Sequence, residues 1–314
     1  MADMLENKHI RSFLQVLDLG GFSRASRSLN IAQPALSQHV RKIEDELGVT
    51  LLNRRSNGVT ATVEGRAFAR HARGILSMVE EAERQFRASG SRLSGEVRVG
   101  LPGSICPVLG PPLLVAAKNQ FPGVRVLLSE FMSGDLEVML QEGRMDIALL
   151  FNVAESDDYT SIPIVHEALH LIGATNAELV QEDYVTSADV EQASLVGTRA
   201  PHGLRLQLER WASATNVKLN FSVEADAPSV LVRLASMGEC YSIVAVAALE
   251  NEIKLGALAT AEIAEPSCER IACLCASKRV PTDASKDAVL SLMKNLMNDL
   301  VEHGKWRGGR AVVS

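Results

Sequence analysis

The 314-residue chain lacks the sequence features of a membrane or secreted protein. No apolar run approaches the roughly 18–20 residues that a membrane span requires, and the N-terminus has no signal-peptide pattern. Its five cysteines are an odd number, which argues against a disulfide framework. We therefore expect a cytoplasmic protein that keeps its thiols reduced and does not contact a membrane.

Three of the cysteines lie close together, at Cys268, Cys273 and Cys275. Cys273 and Cys275 fall on one face of a predicted strand, and no histidine lies nearby to complete a zinc set. Buried free thiols are therefore favoured over a metal or redox site. Cys106, in a predicted loop, is the better candidate for a reactive thiol.

Catalytic motifs are also absent from the sequence. It has no Gly-x-Ser-x-Gly, no P-loop, no Gly-x-Gly-x-x-Gly after a strand and no His-Glu-x-x-His. The seven histidines are scattered, and His166 and His170, four residues apart, fall in a segment predicted to be extended. We therefore predict no enzyme, no catalytic residue, no metal and no cofactor.

Net charge differs in sign between the two parts of the chain. Residues 1–92 contain 14 basic and 10 acidic side chains, whereas the rest contains 18 basic and 28 acidic ones. The overall charge of −6 argues at first against a nucleic-acid partner. A basic N-terminal part on an acidic body nevertheless fits a protein that places one end on phosphates, with ordinary solvated charge as the alternative.

Two helices separated by a turn are predicted between residues 20 and 48. The first opens at Gly20-Gly21-Phe22-Ser23, with Ser23 as its N-cap. The second begins at Gln33-Pro34-Ala35, where the missing N–H of proline costs little, and ends at Gly48 as C-cap. Apolar residues of the second helix recur at steps of four, three and four and form one face: Leu36, Val40, Ile43 and Leu47.

The opposite face of the second helix is polar and cationic. It carries Pro34, Gln38 and Arg41, with Ser37 at its flank. A buried stripe backed by such a polar stripe is what a recognition helix needs to lie in a major groove of DNA.

A small hairpin is predicted after this helix, over residues 51–60. It turns at Asn57-Gly58, a strong two-residue turn signal, and Arg54 and Arg55 precede the turn. Helix, turn, helix and hairpin together predict a winged helix-turn-helix.

Four segments of this region resemble the N-terminal signature of the LysR-type transcriptional regulators. They are Phe22-Ser23-Arg24-Ala25-Ser26, Gln33-Pro34-Ala35-Leu36-Ser37, Leu47-Gly48-Val49-Thr50-Leu51-Leu52-Asn53-Arg54 and Gly58-Val59-Thr60-Ala61-Thr62. Weaker landmarks of the same family follow in the right order, at residues 94–100, 143–150 and 201–205. The likeness extends to about residue 300 and is greatest with the nitrogen-assimilation-control branch.

Two departures from the family pattern are visible. Ala61 stands where a leucine is usual after the wing, and Gln38 stands where many members have arginine. The second departure concerns the base readout and not DNA binding as such. The residues expected to contact DNA are Ser23, Arg24, Gln33, Pro34, Ala35, Ser37, Gln38, Arg41, Arg54, Arg55 and Thr60.

The resemblance implies an α/β fold with an N-terminal winged helix-turn-helix, a long linker helix and a two-lobe, periplasmic-binding-protein-like effector domain. It also implies a regulator of transcription, activator or repressor, that binds a pseudo-palindromic promoter site with a T-N11-A core in double-stranded DNA. Such a protein acts as a homodimer or homotetramer, contacts RNA polymerase and responds to a small-molecule effector.

From residue 64 to about residue 92 the sequence predicts one long helix with a narrow apolar seam. Apolar residues recur at alternating steps of four and three for about three heptads, while arginines and glutamates occupy the outer faces. A seam this narrow needs a second helix to cover it, so a dimerising linker is favoured over a helix packed within one chain. The seam consists of Phe68, Ala72, Ile75, Val79, Ala82 and Phe86.

After residue 93 short apolar strands alternate with helices, and the βαβαβ order of the first unit predicts a parallel sheet with helices on both faces. The first unit has strands at 97–101, 124–130 and 147–151 and helices at 108–120 and 135–141. The second unit has strands near 169–174, 194–197, 220–224 and 241–245 and helices near 204–215 and 228–236. A final helix, 284–301, returns to the first unit.

These patterns divide the chain into four parts. We predict a DNA-binding head at 1–63, a linker helix at 64–92, effector-domain lobe I at 93–167 and 279–314, and lobe II at 168–278. A stand-alone solute-binding or metabolic enzyme lobe would leave residues 1–92 unexplained. A DNA-architectural protein without effector control would leave residues 95–300 unexplained.

Ligands of such two-lobe sheets lie at the carboxyl ends of the strands. Ser104 is a candidate for binding a carboxylate or simply for N-capping a helix, and His202 is open to the same two interpretations. We expect a small carboxylate or similar anion, held by short polar contacts rather than a bulky apolar slot. The candidate effector residues are Ser104, Ser133, Phe151, Asn152, His202, Gly203 and Tyr241.

Overall fold

A computed structural model describes residues 6–55, 58–87, 93–281 and 283–312 of the chain. The side chains of residues 77 and 80–87 are excluded from this description. The predicted turn residue Asn57, the seam side chains of Ala82 and Phe86, and the predicted linker residues 88–92 therefore lie outside the described residues.

The first elements form a small helical head with a two-stranded wing. Its helices are α1 (Asn7–Asp18), α2 (Phe22–Leu29) and α3 (Gln33–Leu47), and its strands are β1 (Leu52–Arg55) and β2 (Gly58–Ala61). The two strands pair antiparallel, so the predicted hairpin is present. The core between the helices contains Ile10, Phe13, Val16, Ala25, Leu36, Val40 and Ile43, each at most 1% exposed.

Two local predictions in the head are wrong. The N-cap of α2 is Gly21, whereas Ser23 is the second residue of the helix and its hydroxyl donates to Gln33 Oε1 (3.1 Å). Leu47 is 42% exposed, because the core that buries the other apolar positions of α3 does not reach its last turn. Gly48 ends α3 as predicted, in the left-handed conformation (φ 68°) that glycine adopts without strain.

The linker helix, α4 (Val63–Arg87), packs its first turns on the head. Ala69 and Ala72 are buried there, and the Phe68 ring meets the Phe13 ring edge-on, with 5.2 Å between centroids. The first two residues of the predicted dimer seam, Phe68 and Ala72, are therefore covered within the chain.

Farther along α4 the seam is open. The seam residue Ile75 is 38% exposed and the seam residue Val79 is half-buried, while Met78 beside the seam is 54% exposed. Apolar side chains on the solvent side of a helix are costly to leave in water, so this later part of the seam is the part available to a partner.

The effector domain alternates strands and helices along the chain. Its strands are β3 (Gly95–Pro102), β4 (Val124–Phe131), β5 (Ile147–Phe151), β6 (Tyr159–Ala168), β7 (His170–Gly173), β8 (Tyr184–Val185), β9 (Ser194–Gly197), β10 (Asn220–Glu224), β11 (Ser242–Val244), β12 (Ala259–Ile263), β13 (Glu269–Ser277) and β14 (Gly309–Ala311). Its helices are α5 (Cys106–Gln120), α6 (Ser133–Gln141), α7 (Ser187–Gln192), α8 (Gly203–Thr215), α9 (Pro228–Ser236), α10 (Glu250–Lys254) and α11 (Ala284–Glu302).

Lobe I is a three-layer unit around a six-stranded sheet of order β14-β6-β13-β5-β3-β4. Helices α5 and α11 pack on one face through residues such as Leu109 and Met293, and α6 packs on the other through Leu136 and Leu140. The sheet is not parallel throughout, as the sequence had suggested. β3 pairs parallel with β4 and β5, but β13 runs antiparallel to both β5 and β6.

Lobe II is smaller and is built on a four-stranded sheet of order β11-β7-β12-β8. The parallel pair β9–β10 extends it through a bridge between Leu195 and Tyr241. Helix α8 covers one side, where Leu208 and Trp211 join the buried cluster. None of the described helices combines the length and the apolar character that crossing a bilayer requires.

Two neighbouring chain segments connect the lobes. The chain passes from β6 to β7 at Leu169 and returns from β12 to β13 at Cys268, and the Leu169 N–H donates to the Cys268 carbonyl (2.7 Å). The predicted lobe II, residues 168–278, therefore includes one strand too many, because β13 belongs to the sheet of lobe I.

Candidate functional site

The candidate DNA-binding surface is the polar face of α3 together with the wing. Gln33, Pro34, Gln38 and Arg41 are exposed there, while Ser37 is half-buried. This division follows from the sequence, because the residues between them along the helix, such as Leu36 and Val40, fill the core of the head. The exposed face of α3 is therefore polar, and the opposite face, which packs in the core of the head, is apolar.

Contacts between α2, α3 and the wing fix the orientation of this surface. The Arg54 guanidinium lies 4.6 Å from the centroid of the Phe22 ring and donates to Ser37 Oγ (3.3 Å). Ser23 donates to Gln33 across the turn, as noted above. Arg54 is therefore already engaged with α3, whereas Arg55, also exposed, makes no described ion pair.

A cavity of about 980 Å³ lies between the two lobes. Its lobe I wall contains Pro102, Phe131 and Phe151, the last residues of three strands that run parallel. Its lobe II wall contains the first turns of α8 and α9, near His202 and Pro228. This is the place where open α/β sheets bind ligands, at the carboxyl ends of strands and the N-termini of helices.

Six of the seven predicted effector residues line this cavity: Ser104, Ser133, Phe151, Asn152, His202 and Gly203. Tyr241 does not. Its ring packs against Gly173 in the core of lobe II, and its hydroxyl accepts the Leu179 N–H (3.3 Å). Tyr241 precedes β11 at the junction with β9, so its position in the chain gave no indication that it faces the interior of the lobe.

The floor of the cavity holds a buried charge network that the sequence did not indicate. Arg270 donates from Nε to Glu167 Oε2 (2.6 Å) and from Nη2 to Ser104 Oγ (2.9 Å). Glu167 also accepts the Trp306 indole N–H at Oε1 (2.8 Å), and its side chain has no exposed area. The guanidinium carbon lies 3.5 Å from the centroid of the Phe151 ring.

The start of α5 excludes one of the two interpretations of Ser104. The N-cap of α5 is Ile105, which makes no side-chain capping bond. Ser104 is therefore not the cap of the helix. Its hydroxyl is oriented by the Arg270 guanidinium at the edge of the cavity.

His202, in contrast, does cap its helix. It is the N-cap of α8, and its Nδ1 accepts the Leu204 N–H (3.1 Å). Burial is the largest cause of the lowered pKa of His202; the Asp226 carboxylate opposes it and the Arg270 guanidinium adds to it, so the neutral ring predominates at pH 7. A neutral ring whose Nδ1 accepts carries its proton on Nε2, and that N–H is the hydrogen-bond donor left to the ring.

Hydrogen bonds across the cleft hold the lobes in their present arrangement. Asn152, at the end of β5, donates from Nδ2 to Gln207 Oε1 of α8 (2.8 Å) and accepts the Ile271 N–H at Oδ1 (2.7 Å). Gln207 donates to the Glu269 carbonyl (2.6 Å). Gln207, which the sequence did not indicate, thus connects α8 of lobe II to the end of β5 and the start of β13 in lobe I.

All five cysteines are free, and none has a lowered pKa. Burial raises the pKa of Cys268 and Cys275 to about 12, and it also raises the pKa of Cys240, Cys273 and Cys106. Cys106, predicted to be the most reactive, is the first residue of α5, and the Glu130 carboxylate beside it further disfavours its thiolate. Within the described ranges no group of three or more His, Cys, Asp or Glu residues is placed to hold a metal ion.

The described chain thus combines a helix-turn-helix head with a wing, a linker helix and a two-lobe domain with an interlobe cleft. Two family descriptions match the chain: the bacterial regulatory helix-turn-helix protein, lysR family, over residues 7–66, and the LysR substrate binding domain over residues 90–297. The chain belongs to the LysR family.

Several curated regulators are similar in sequence. The nitrogen assimilation regulatory protein nac of Klebsiella aerogenes is 34% identical over 184 residues, 58% of this chain and 60% of that protein. The nac protein of Escherichia coli K12 is 34% identical over 53% of this chain and 55% of its own length. The hydrogen peroxide-inducible genes activator of Haemophilus influenzae is 28% identical over 74% of this chain and 77% of its own length. The chain therefore spans less than two thirds of the length of the two nac relatives.

Solved structures share the fold at low sequence identity. A full-length OxyR variant from Pseudomonas aeruginosa superposes with a TM-score of 0.78 at 18% identity, over 98% of this chain and 99% of that one. CbnR, a LysR family transcriptional regulator, superposes with a TM-score of 0.64 at 19% identity, over 94% of this chain and 98% of that one. These likenesses confirm the predicted arrangement of head, linker helix and effector domain.

Proposed function

We propose that this protein is a transcriptional regulator that binds a pseudo-palindromic promoter site through paired heads and responds to a small-molecule effector in its interlobe cleft. The observation that carries the proposal is the exposed polar face of α3, with Gln33, Gln38 and Arg41, on a head whose other helical face is buried. The chain belongs to a family of DNA-binding regulators, and the CbnR structure with its target DNA shares the fold (TM-score 0.56).

In this proposal the DNA contacts divide into two kinds. Gln38 reads base edges, since its amide is exposed in the middle of the polar face of α3 and a glutamine pairs well with adenine in the major groove. Arg41 and Arg55 hold phosphates. Arg54 mainly positions the wing against α3 through Ser37 and Phe22.

One helix connects the cleft to the head and supports effector control. Ser133 and Gly134, at the start of α6, line the cavity. Just past the other end of α6, the Glu142 carbonyl accepts from Arg73 Nη1 on the linker helix (3.1 Å), and Arg73 Nη2 donates to Asp18 of the head (2.6 Å). A ligand that prefers one position of α6 thereby changes the preferred position of the head.

The Gln38 and Arg55 assignments predict different losses of DNA affinity. Gln38→Ala is expected to cost about 1–3 kcal/mol at the preferred site and little on random DNA, because only base readout is removed. Arg55→Ala is expected to weaken both DNAs equally and to reduce the salt dependence, because a phosphate contact is lost. Fluorescence anisotropy at several salt concentrations, with a duplex selected from a random library and its scrambled version, measures both effects. Equal loss on both duplexes for Gln38→Ala would exclude base reading by this residue.

Peroxide sensing, the role in the name of some relatives, is not favoured for this chain. A sensing cysteine needs an accessible thiolate, and every cysteine here has a raised pKa. We expect micromolar hydrogen peroxide to leave DNA affinity unchanged and a sulfenic-acid probe to label the native protein slowly at pH 7.5. Urea-unfolded protein, with all five thiols exposed, is the positive control. Rapid labelling of native Cys106 would overturn this expectation.

A further inference from the structure

The Arg270 guanidinium is buried at the cleft floor with part of its hydrogen-bonding capacity unused. Its side chain is only 7% exposed, yet it lines the cavity. Glu167 and Ser104 take one N–H each, which leaves three of the five N–H groups without an acceptor among the residues that the structure describes. The Phe151 ring and Glu167 hold the group in place, so these donors have a fixed direction.

Helix dipoles add positive potential to the same space. The first turns of α5, α6, α8 and α9 all border the cavity, and these helices are 15, 9, 13 and 9 residues long. Of these four helices, α8 alone has a side-chain cap, the neutral His202. Pro107 in α5 and Pro228 in α9 supply no N–H, so the N–H groups left in these first turns are few. Like the Arg270 donors, they favour an acceptor with negative charge.

The acidic side chains of the cavity do not cancel this preference at the floor. Glu137 accepts the Tyr159 hydroxyl (2.8 Å), and Asp226 accepts from Arg199 (2.5 Å). The other charged lining residues are two of each sign: Glu130, Glu252, Arg210 and Arg233. The buried floor therefore offers the unused N–H groups of a guanidinium whose charge Glu167 balances, while Glu137 keeps a carboxylate that no described cation pairs with.

Most of the remaining wall is apolar. Met132, Leu150 and Val153 line the lobe I side. Leu204, Val232, Leu249 and Leu258 line the lobe II side. A volume of about 980 Å³ is at the upper end of small-molecule pockets, which run to roughly 1,000 Å³. The expectation of a small anion held only by short polar contacts does not fit a cavity of this size and lining.

We propose that the effector is an organic carboxylate with a sizeable apolar body, and that Arg270 is the residue that recognises its carboxylate. The inference rests on the proposed function and specifies the ligand of that site. The carboxylate pairs with the unused Nη donors beside Ser104, and the apolar body extends along Leu150 and Val153 toward Leu204 and Val232. A small acid such as acetate leaves this apolar wall in water and binds far more weakly.

Isothermal titration of the full-length protein with matched probes tests the proposal. The probes are 4-phenylbutanoate, its amide, its amine analogue 4-phenylbutylamine, octanoate with its amide, and acetate. We expect the two larger carboxylates to bind roughly 10- to 100-fold more tightly than their amides, because a hydrogen-bonded charge pair contributes that much. The amine and acetate are expected to bind weakest.

Two variants separate recognition from folding. Arg270→Gln combined with Glu167→Gln removes both charges together, so no buried ion is left unpaired. It is expected to lose the preference for carboxylate over amide while keeping its affinity for the amide. Arg233→Gln, which removes an exposed arginine of the same cavity, is the matched control and is expected to keep the preference.

Three outcomes would overturn the carboxylate proposal: equal affinity for acid and amide in the wild type, a preference retained in the double variant, or no binding of any larger carboxylate. DNA binding by the same preparations keeps the two hypotheses apart. A protein that binds a selected duplex and responds to the amide or the amine remains a regulator with a different ligand. A protein that binds the carboxylate but no DNA would contradict the proposed function instead.

Discussion

Replacing Glu167 with alanine is expected to lower the free energy of unfolding of the effector domain by about 3–5 kcal/mol, the cost of leaving a buried charge without its partner. Glu167 has no exposed side-chain area and accepts from both Arg270 and the Trp306 indole. Its removal leaves a guanidinium and an indole N–H unsatisfied in lobe I. Urea unfolding followed by circular dichroism and by tryptophan fluorescence measures the loss.

Two further variants show which part of this loss in unfolding free energy comes from the charge of Glu167. Glu167→Gln keeps an acceptor for Trp306 but removes the charge, so an intermediate loss is expected. Glu182→Ala removes an exposed carboxylate of lobe II and is expected to change stability by no more than about 0.5 kcal/mol. A loss below about 1 kcal/mol for Glu167→Ala would mean that the Arg270 side chain rotates into the water of the cleft when Glu167 is absent. The guanidinium would then lack the fixed geometry on which carboxylate recognition by Arg270 depends.

Local sequence signals were sufficient for most elements of this fold. The strands Ile147–Phe151, Ser194–Gly197 and Asn220–Glu224 have the predicted bounds, because each is a short run between turn or loop residues. Helix α3 also has its predicted limits, since proline near its start and glycine after its end are strong boundary signals. In these segments the residues immediately before and after each element determine where it begins and ends.

Long-range pairing was not predictable in the same way. The predicted lobe II, residues 168–278, includes β13, but β13 completes the sheet of lobe I beside β5 and β6. Nothing within residues 269–277 distinguishes a strand of one lobe from a strand of the other. β13 joins the sheet of lobe I because the chain crosses back to that lobe at Cys268.

The candidate site shows the same limit. Ser104, Ser133 and Phe151 were found because they follow strands, and the carboxyl ends of parallel strands meet at one edge. Arg270 was missed because its partners Glu167 and Ser104 are 103 and 166 residues away. The available signal was a single arginine beside the apolar run Ile271-Ala272-Cys273-Leu274, a position where a charge is costly unless it has a partner.

Replacing Val79 with glutamate is expected to weaken association of the heads by at least about 100-fold, because an interface between two copies would bury two unpaired carboxylates. Val79 follows Ile75 on the part of α4 that the head leaves uncovered, whereas Phe68 and Ala72 pack within the chain. The substitution is therefore expected to leave the stability of a single head nearly unchanged. Sedimentation equilibrium of the full chain measures the association.

DNA affinity provides a second measurement of the same effect. Two recognition helices held together bind a two-part site more tightly than either alone, so Val79→Glu is expected to reduce affinity for a full site far more than for a half-site. Arg70→Glu places a carboxylate on the opposite side of α4, 180° from Val79 at about 100° per residue, and is the matched control for association. Unchanged association and an unchanged ratio of full-site to half-site affinity in Val79→Glu would show that the seam does not join two copies. The pairing of the heads would then have to come from the effector domains.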